Sequence, residues 1–447
     1  MLQGELSIAC VTSPKLTLFA LVKVRVRSQR PISMASIQKA ISLLNVHRHE
    51  DAVSELHLLL AEDPNNAWAH YQLAITYSAM SDCAGKALEA IDGAIGCDPD
   101  EADFLASKAL ILNDLDRDKE ALSMADASLA TEPGAYQWYA KAQALTALRK
   151  WSDASKACDK ALELDSDYDG AMDLKNLLMR VQGDLDSADG GTMEQLSRNA
   201  ESPIALANAG WTQLQRGERA KAEELFREAL RVDPGNEYAR SGLVEAFKSR
   251  SLFYRLYLKW VFMLQRMEGK SQWILVLGLY FGFRLGRELL SMVHPLLGIA
   301  AFVVYLGLCF GTFLAPGIGH GLLLKDRFAR HALTRREKLD GVLVAGLFFG
   351  GILLAGIGLG VGVSVLTYLG VGMLVAAVPA SVLARNLSRP GQLVFGGIAL
   401  FAVIGALHSW HFSSETGEMI SGVGLLAIVT AALSTWLSSV RSLANLC

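Results

Sequence analysis

His408, His411 and Glu415 are spaced so that a helix would bring them towards one side, a donor set able to hold a divalent metal. They sit beside Trp410 and Phe412 at the end of an apolar stretch, where histidines and aromatics at a water–lipid boundary need no metal. The boundary reading is taken for them, and for His294 and His320 as well. Arg284, Arg287 and Glu288 form a polar group inside apolar sequence, and Arg284 and Glu288, four apart, can pair on one helix face. The six cysteines (Cys10, Cys83, Cys97, Cys158, Cys309 and Cys447) are scattered without a Cys-x-x-Cys pair. That pattern fits reduced thiols, not a disulfide framework. The sequence has no Gly-x-Ser-x-Gly, no HExxH and no phosphate-binding glycine loop. The expectation is a protein that binds without catalysing: no enzyme, no cofactor and no metal.

The elements that must position any site differ between two halves of the 447 residues. Charged residues are 19% of the chain, yet 341–440 contains only Arg385, Arg389, Glu415 and Glu418. That excludes a purely soluble protein and a disordered one. The net charge of -3 gives no nucleic-acid footprint. Residues 1–33 carry Lys15, Lys23, Arg25, Arg27 and Arg30 against Glu5, and four of these five cations follow the short apolar stretch Leu16–Val22. A secretory signal has the reverse order. The segment reads as an unstructured extension ahead of a true start at Met34, or as a targeting or membrane-surface arm.

From Met34 a period of about 34 residues emerges. Alanine recurs at Ala52, Ala87, Ala121, Ala154 and Ala222, with Ala188 at the midpoint of the long last step. A second small-residue series is Ala40, Ala74, Ala109, Ala142 and Gly210, and Pro64, Pro99, Pro133 and Pro234 close several units. Spacing and residue types resemble the tetratricopeptide repeat (TPR). The resemblance implies an all-α fold, a TPR α-solenoid over 34–250. It would have five recognisable repeats, a degenerate one near 169–202 and a closing helix at 237–250. In the degenerate unit, Gly183 to Gly191 is expected to break or shorten the second helix. The resemblance also implies protein partners held in a concave groove. Its lining would be Trp68, Tyr71, Ile75, Asp103, Leu110, Asn113, Tyr136, Tyr139, Gln143, Ile204 and Trp211. The same aromatics could instead pack against the neighbouring unit.

Between Lys248 and Lys270 six basic residues alternate with aromatics. Residues 251–270 read as a helix in a membrane interface, presenting Arg255, Tyr257, Lys259, Trp260 and Arg266; one more soluble helix is the alternative. Residues 271–447 read as a polytopic transmembrane helix bundle of about six spans: 272–292, 295–316, 342–360, 363–384, 393–410 and 420–440. The weakest is 272–292, interrupted by Arg284 and Arg287. A tight turn is expected in the Gly356–Gly362 run, and small-xxx-small glycines could pack spans together or form a homodimer seam. The basic segments 325–340 and 385–392 are expected as cytosolic loops and the acidic 411–419 as a loop on the other side. Six spans put the repeats and the C-terminus in the cytosol. The arrangement resembles bacterial TPR-containing membrane proteins, which implies the bacterial cytoplasmic membrane and contact with the lipid bilayer. Two functions compete: a membrane-anchored scaffold that gathers protein partners, and a transporter or channel whose TPR domain is regulatory.

Overall fold

The computed structural model describes residues 31–80, 83–267, 278, 281–287, 289–290, 292, 294–327, 329–386, 389–416 and 420–437. Among the described residues every regular element is helical. The chain divides into two compact units, the described part of Val11–Thr212 with Glu228–Tyr238, and Gln213–Arg227 with the described part of Ala239–Cys447. The expected extension 1–33 lies outside the described residues except for 31–33, which already belong to the first helix.

The first unit is built from helix pairs. These are α1 (Pro31–Asn45) and α2 (His49–Glu62), α3 (Ala67–Ser78) and α4 (Ala84–Cys97), α5 (Ala102–Asp114) and α6 (Asp118–Thr131), α7 (Ala135–Ala147) and α8 (Trp151–Leu164), and α9 (Asp169–Gln182) and α10 (Leu185–Arg198). Each helix packs on its partner, and the second helix of one pair also packs on the first helix of the next. This stacking is TPR-like: no pair could bury its apolar stripe alone. The chain continues through α11 (Pro203–Arg216) and α12 (Arg219–Val232), each of which contributes residues to both units.

The sequence rhythm has a direct structural cause. Ala52, Ala87, Ala121, Ala154, Ala188 and Ala222 are all fully buried, so helices cross there with only a methyl group between backbones. The second helix of four pairs stops two residues before Pro64, Pro99, Pro133 or Pro234, because proline disfavours helical conformation in its predecessor. Five of the turns inside the pairs share one device. His47, Asp116, Arg149, Gly183 and Gly217 each take a left-handed backbone, with φ between 56° and 93°.

The expected break in the degenerate unit does not occur: α10 is a continuous helix as long as its neighbours. Gly183 acts as the left-handed cap that ends α9, and the Asp184 side chain accepts from the Ser187 backbone N–H to start α10. The Gly190-Gly191 pair lies inside α10, and a Cβ at Gly191 would run into the Asn176 carboxamide. Missing side chains here serve a close approach, which outweighs the weak helix propensity of glycine.

The second unit contains α13 (Glu237–Lys248, the described helix starting just before the unit), α14 (Leu252–Arg266), α15 (Pro295–Leu323), α16 (Arg335–Val361), α17 (Ser364–Arg385), α18 (Arg389–Thr416) and α19 (Gly422–Leu437). α15 to α19 pack in sequence, each on the next, and α17 also touches α15 and α19. Among the described residues three helices, α16, α17 and α18, are long and apolar enough to cross a membrane. The candidate segments 295–316 and 420–440 fall in α15 and α19, which hold shorter described apolar stretches, Phe313–Leu323 and Gly422–Ser434. About half of 272–292, Glu288 included, lies outside the described residues.

The expected loops are corrected. Residues 335–340 are the opening turns of α16, because Thr334 and Glu337 form a reciprocal capping box that starts the helix there. The acidic segment is helical as far as Thr416. The tight turn falls at the end of the glycine run: Gly362 takes φ 77° and ends α16, and α17 begins at Ser364. Of the small-xxx-small glycines, Gly350 and Gly358 face α17, whereas Gly346, Gly356 and Gly360 face open space; Gly351, outside those motifs, also packs on α17.

A side chain at Gly370 has nowhere to go: its Cβ would lie 2.5 Å from the Ala355 N and the Gly351 O. Gly370→Ala is expected to destabilise the full chain in detergent by about 1–3 kcal/mol through overpacking. Gly356→Ala, into open space, is expected to be neutral or to gain up to about 1 kcal/mol. Thermal unfolding of both variants checks this, and equal effects would contradict the α16–α17 packing.

Candidate functional site

The predicted groove residues separate into two groups. Trp68, Tyr71, Ile75, Tyr139 and Trp211 are buried, and Asp103, Leu110, Asn113, Tyr136, Gln143 and Ile204 are half-buried. The buried group corrects the expectation of an open aromatic strip, because these rings pack on adjacent helix pairs. Trp68 and Tyr71 of α3 both meet Phe104 of α5 with centroids 5.1 Å away. Tyr139 of α7 meets Tyr168 at 5.4 Å, and Trp211 meets Tyr238 at 5.8 Å. Such aromatic contacts favour edge and offset geometries and fix the stacking of one pair on the next.

Hydrogen bonds run along the same line. Ser107 Oγ lies 2.8 Å from the Tyr136 hydroxyl and donates to the Asp103 carbonyl at 2.8 Å. Gln137 Nε2 donates to Asp103 Oδ1 at 2.7 Å, and Gln143 Nε2 donates to the Tyr139 hydroxyl at 2.8 Å. Burial raises the Asp103 carboxyl above its usual range and raises the Tyr71, Tyr136 and Tyr139 hydroxyls as well. The tyrosine hydroxyls therefore stay protonated, and what remains accessible is a partly polar ribbon. Both polar atoms of the Asn113 carboxamide are buried without a hydrogen-bond partner.

Sequence reasoning missed a second polar cluster, in the degenerate unit. Asp173 of α9 is buried and accepts from Gln195 Nε2 at 3.1 Å and from Asn208 Nδ2 at 3.4 Å. Tyr238 donates to Asn208 Oδ1 at 3.0 Å, and Arg180 Nη2 donates to the Tyr238 hydroxyl at 3.1 Å. The Arg180 guanidinium also lies 5.8 Å from the Trp211 ring centroid. The residues sit on four different helices, and the available signal was polar residues on the inward-facing positions of an amphipathic pattern, Asp173, Asn176 and Arg180 among Leu174, Leu177 and Val181.

In the second unit, α14 divides into three faces. Tyr254, Leu258, Val261, Phe262, Leu264 and Gln265 are buried. Leu252 and Phe253 are each 65% exposed and Leu256 60%, with Met263 also exposed. Of the interface residues expected from sequence, Arg255, Lys259 and Arg266 are exposed, and Tyr257 and Trp260 are half-buried. At 100° per residue, the three cations form a stripe that runs beside the exposed apolar one.

The end of the bundle is tied by ionic contacts, several of them to residues expected as loop charges, Asp326, Glu337, Asp340 and Arg385. Arg240 Nη1 pairs with Glu337 Oε2 at 3.0 Å, and Arg250 Nη1 with Asp326 Oδ2 at 2.8 Å. Buried Lys248 pairs with Glu245 Oε1 at 2.8 Å, and the Tyr254 hydroxyl donates to Glu245 Oε2 at 2.8 Å. His320 Nδ1 lies 2.9 Å from Asp340 Oδ2, and Arg385 Nε lies 3.9 Å from the same oxygen. The two histidines considered for a metal have different partners: His408 Nδ1 is 3.0 Å from Ser421 Oγ, and His411 Nδ1 is 3.6 Å from Glu415 Oε1. Among the described residues no cluster of three His, Cys, Asp or Glu has metal-binding geometry.

No family model matches the chain, and no curated protein matches it. Solved structures resemble its repeat portion. PilW, a widely conserved type IV pilus biogenesis factor, is 19% identical with a TM-score of 0.40, over 48% of this chain and 100% of that one. A tetratricopeptide repeat protein from Parabacteroides merdae is 16% identical with a TM-score of 0.35, over 53% and 98%. YrrB, a TPR protein with an unusual peptide-binding site, is 21% identical with a TM-score of 0.29, over 41% and 95%. At these scores the likenesses carry no functional argument, and the repeat assignment rests on the helix pairs themselves.

Burial pushes the Asp173 carboxyl up to about 7. The folded state then holds a proton that the unfolded chain releases, from about pH 4 to about pH 7. Its stabilising effect is complete below pH 4 and disappears as the pH rises through 7. Asp173→Asn keeps the oxygen that accepts from Gln195 and is expected to raise the melting temperature at pH 8 by a few degrees. The gain should shrink as the pH falls towards 5, as thermal scans of the full chain at several pH values would show.

Proposed function

We propose that the protein is a membrane-anchored scaffold whose TPR-like solenoid binds a protein partner and whose helical bundle holds it in a bilayer. The face pattern of α14 carries this reading: a row of exposed Leu252, Phe253, Leu256 and Met263 runs beside Arg255, Lys259 and Arg266. An apolar stripe flanked by cations suits the depth between headgroups and acyl chains. The apolar α16, α17 and α18 follow it in the chain, and α15, α19 and 272–292 complete six spans. The repeats and the C-terminus then lie in the cytosol, beneath a bacterial cytoplasmic membrane. The half-buried ribbon of Asp103, Leu110, Tyr136 and Gln143 offers the partner mixed polar and apolar contacts. Tethering raises the partner's effective concentration near other membrane components without any chemistry by the scaffold.

The reading predicts that the intact protein stays in the membrane pellet after an alkaline carbonate wash. Proximity labelling from the N-terminal half should mark a defined partner set. A Leu110→Arg/Gln143→Arg variant should lose that set while remaining in the pellet. Release of the wild-type chain by carbonate would overturn the anchor, and labels unchanged in the variant would overturn the ribbon as the binding surface.

A further inference from the structure

A groove of about 620 Å³ opens at the start of α16, between it, the end of α17 and the start of α18. That is within the range of roughly 300–1,000 Å³ typical of small-ligand sites. Three cations line it, Arg335, Arg336 and Lys338, together with the polar Asn386 and Gln392. All three cations are exposed. None of them has an ion-pair partner among the described residues, because the neighbouring acids are engaged elsewhere. Glu337 caps α16 and pairs with Arg240, and Asp340 is buried against His320. The groove therefore carries uncompensated positive charge.

Its apolar wall is equally informative. Leu339 is 51% and Val342 60% exposed, and both follow the cations along α16. Leu343 and Leu383, both half-buried, complete the wall. A soluble anion would satisfy the cations and leave these side chains in water. A molecule with an anionic phosphate at one end and hydrocarbon at the other satisfies both.

We propose that this groove binds an anionic phospholipid, with its phosphate on Arg335, Arg336 and Lys338 and an acyl chain along Leu339 and Val342. The proposal rests on the membrane reading above, since it places the cations at headgroup level. It differs from the general charge of α14 because the groove is concave and gathers three cations over four residues.

The test uses the full chain purified in a nonionic detergent and native mass spectrometry with added phosphatidylglycerol or phosphatidylcholine. Wild type should retain phosphatidylglycerol in strong preference. Arg335→Gln/Arg336→Gln/Lys338→Gln should weaken that retention by about a hundredfold, at roughly a factor of five for each cation lost. Neutralising three exposed cations of the repeats, Lys119→Gln/Lys150→Gln/Lys156→Gln, should leave it unchanged, and Arg335→Lys/Arg336→Lys should retain most of it. Matching melting temperatures exclude a folding defect. Equal retention of the two lipids, or full preference in the triple groove variant, would overturn the site. Displacement by soluble glycerol phosphate at the lipid's own concentration would make it a free-anion site and also overturn the proposal. Carbonate extraction of the wild type separates the two failures: a chain that resists the wash but shows no lipid preference refutes the groove alone.

Discussion

Backbone-to-backbone proximity at positions too small to hold helices apart is the constraint on which the rest of this molecule depends. In the repeats it is met by a fully buried alanine about every 34 residues, and in the bundle by Gly351, Gly358 and Gly370. Close crossing lets the aromatic contacts reach from one pair to the next, Trp68 and Tyr71 to Phe104 and Tyr139 to Tyr168. The same constraint selects alanine in water and glycine among apolar helices. In water the apolar stripe supplies the driving force and a methyl group is tolerated. In the lipid setting proposed for the bundle, association relies on packing itself, and the smallest residue gives most contact.

Polar groups buried within this packing set register more than they add stability. Asp173 and Arg180 are linked through Asn208 and Tyr238, and Asp340 faces His320 and Arg385. Taking such charges out of water costs about as much as their pairing returns. Their directional bonds, however, admit one alignment of the helices that carry them. Asp173 and Arg180 do this where the repeat pattern is weakest, and Asp340 and Arg385 where long apolar helices have few other polar features to distinguish one register from another.

Local rules made much of the fold legible. Periodic alanines, prolines after helix ends and a glycine turn before Ser364 are consequences of backbone sterics, and they read directly from residue order. What was not legible depends on partners distant in sequence. The glycines of α10 look like breakers until Asn176 is seen against Gly191. Arg335 and Arg336 look like loop charges until Thr334 and Glu337 are recognised as a reciprocal cap. Trp68, Tyr71 and Trp211 sit at groove positions of the repeat, yet their burial is decided by the large rings across from them. Asp173 escaped notice because one carboxylate on a helix carries no motif.

The border between the two units falls inside α11 and α12 and not at the end of a repeat. Residues 213–227 belong with the apolar helices: Phe226 packs on Gly242, and Glu223 holds Arg250 at 3.2 Å. Modularity is therefore asymmetric along this chain. Earlier hairpins can be duplicated or lost by recombination at their own edges, as in any array of near-identical blocks. The final hairpin cannot be exchanged so freely, because half of it has become the foundation of its neighbour. Evolutionary change in repeat number is expected to accumulate upstream of residue 203, leaving the last pair inherited together with the bundle.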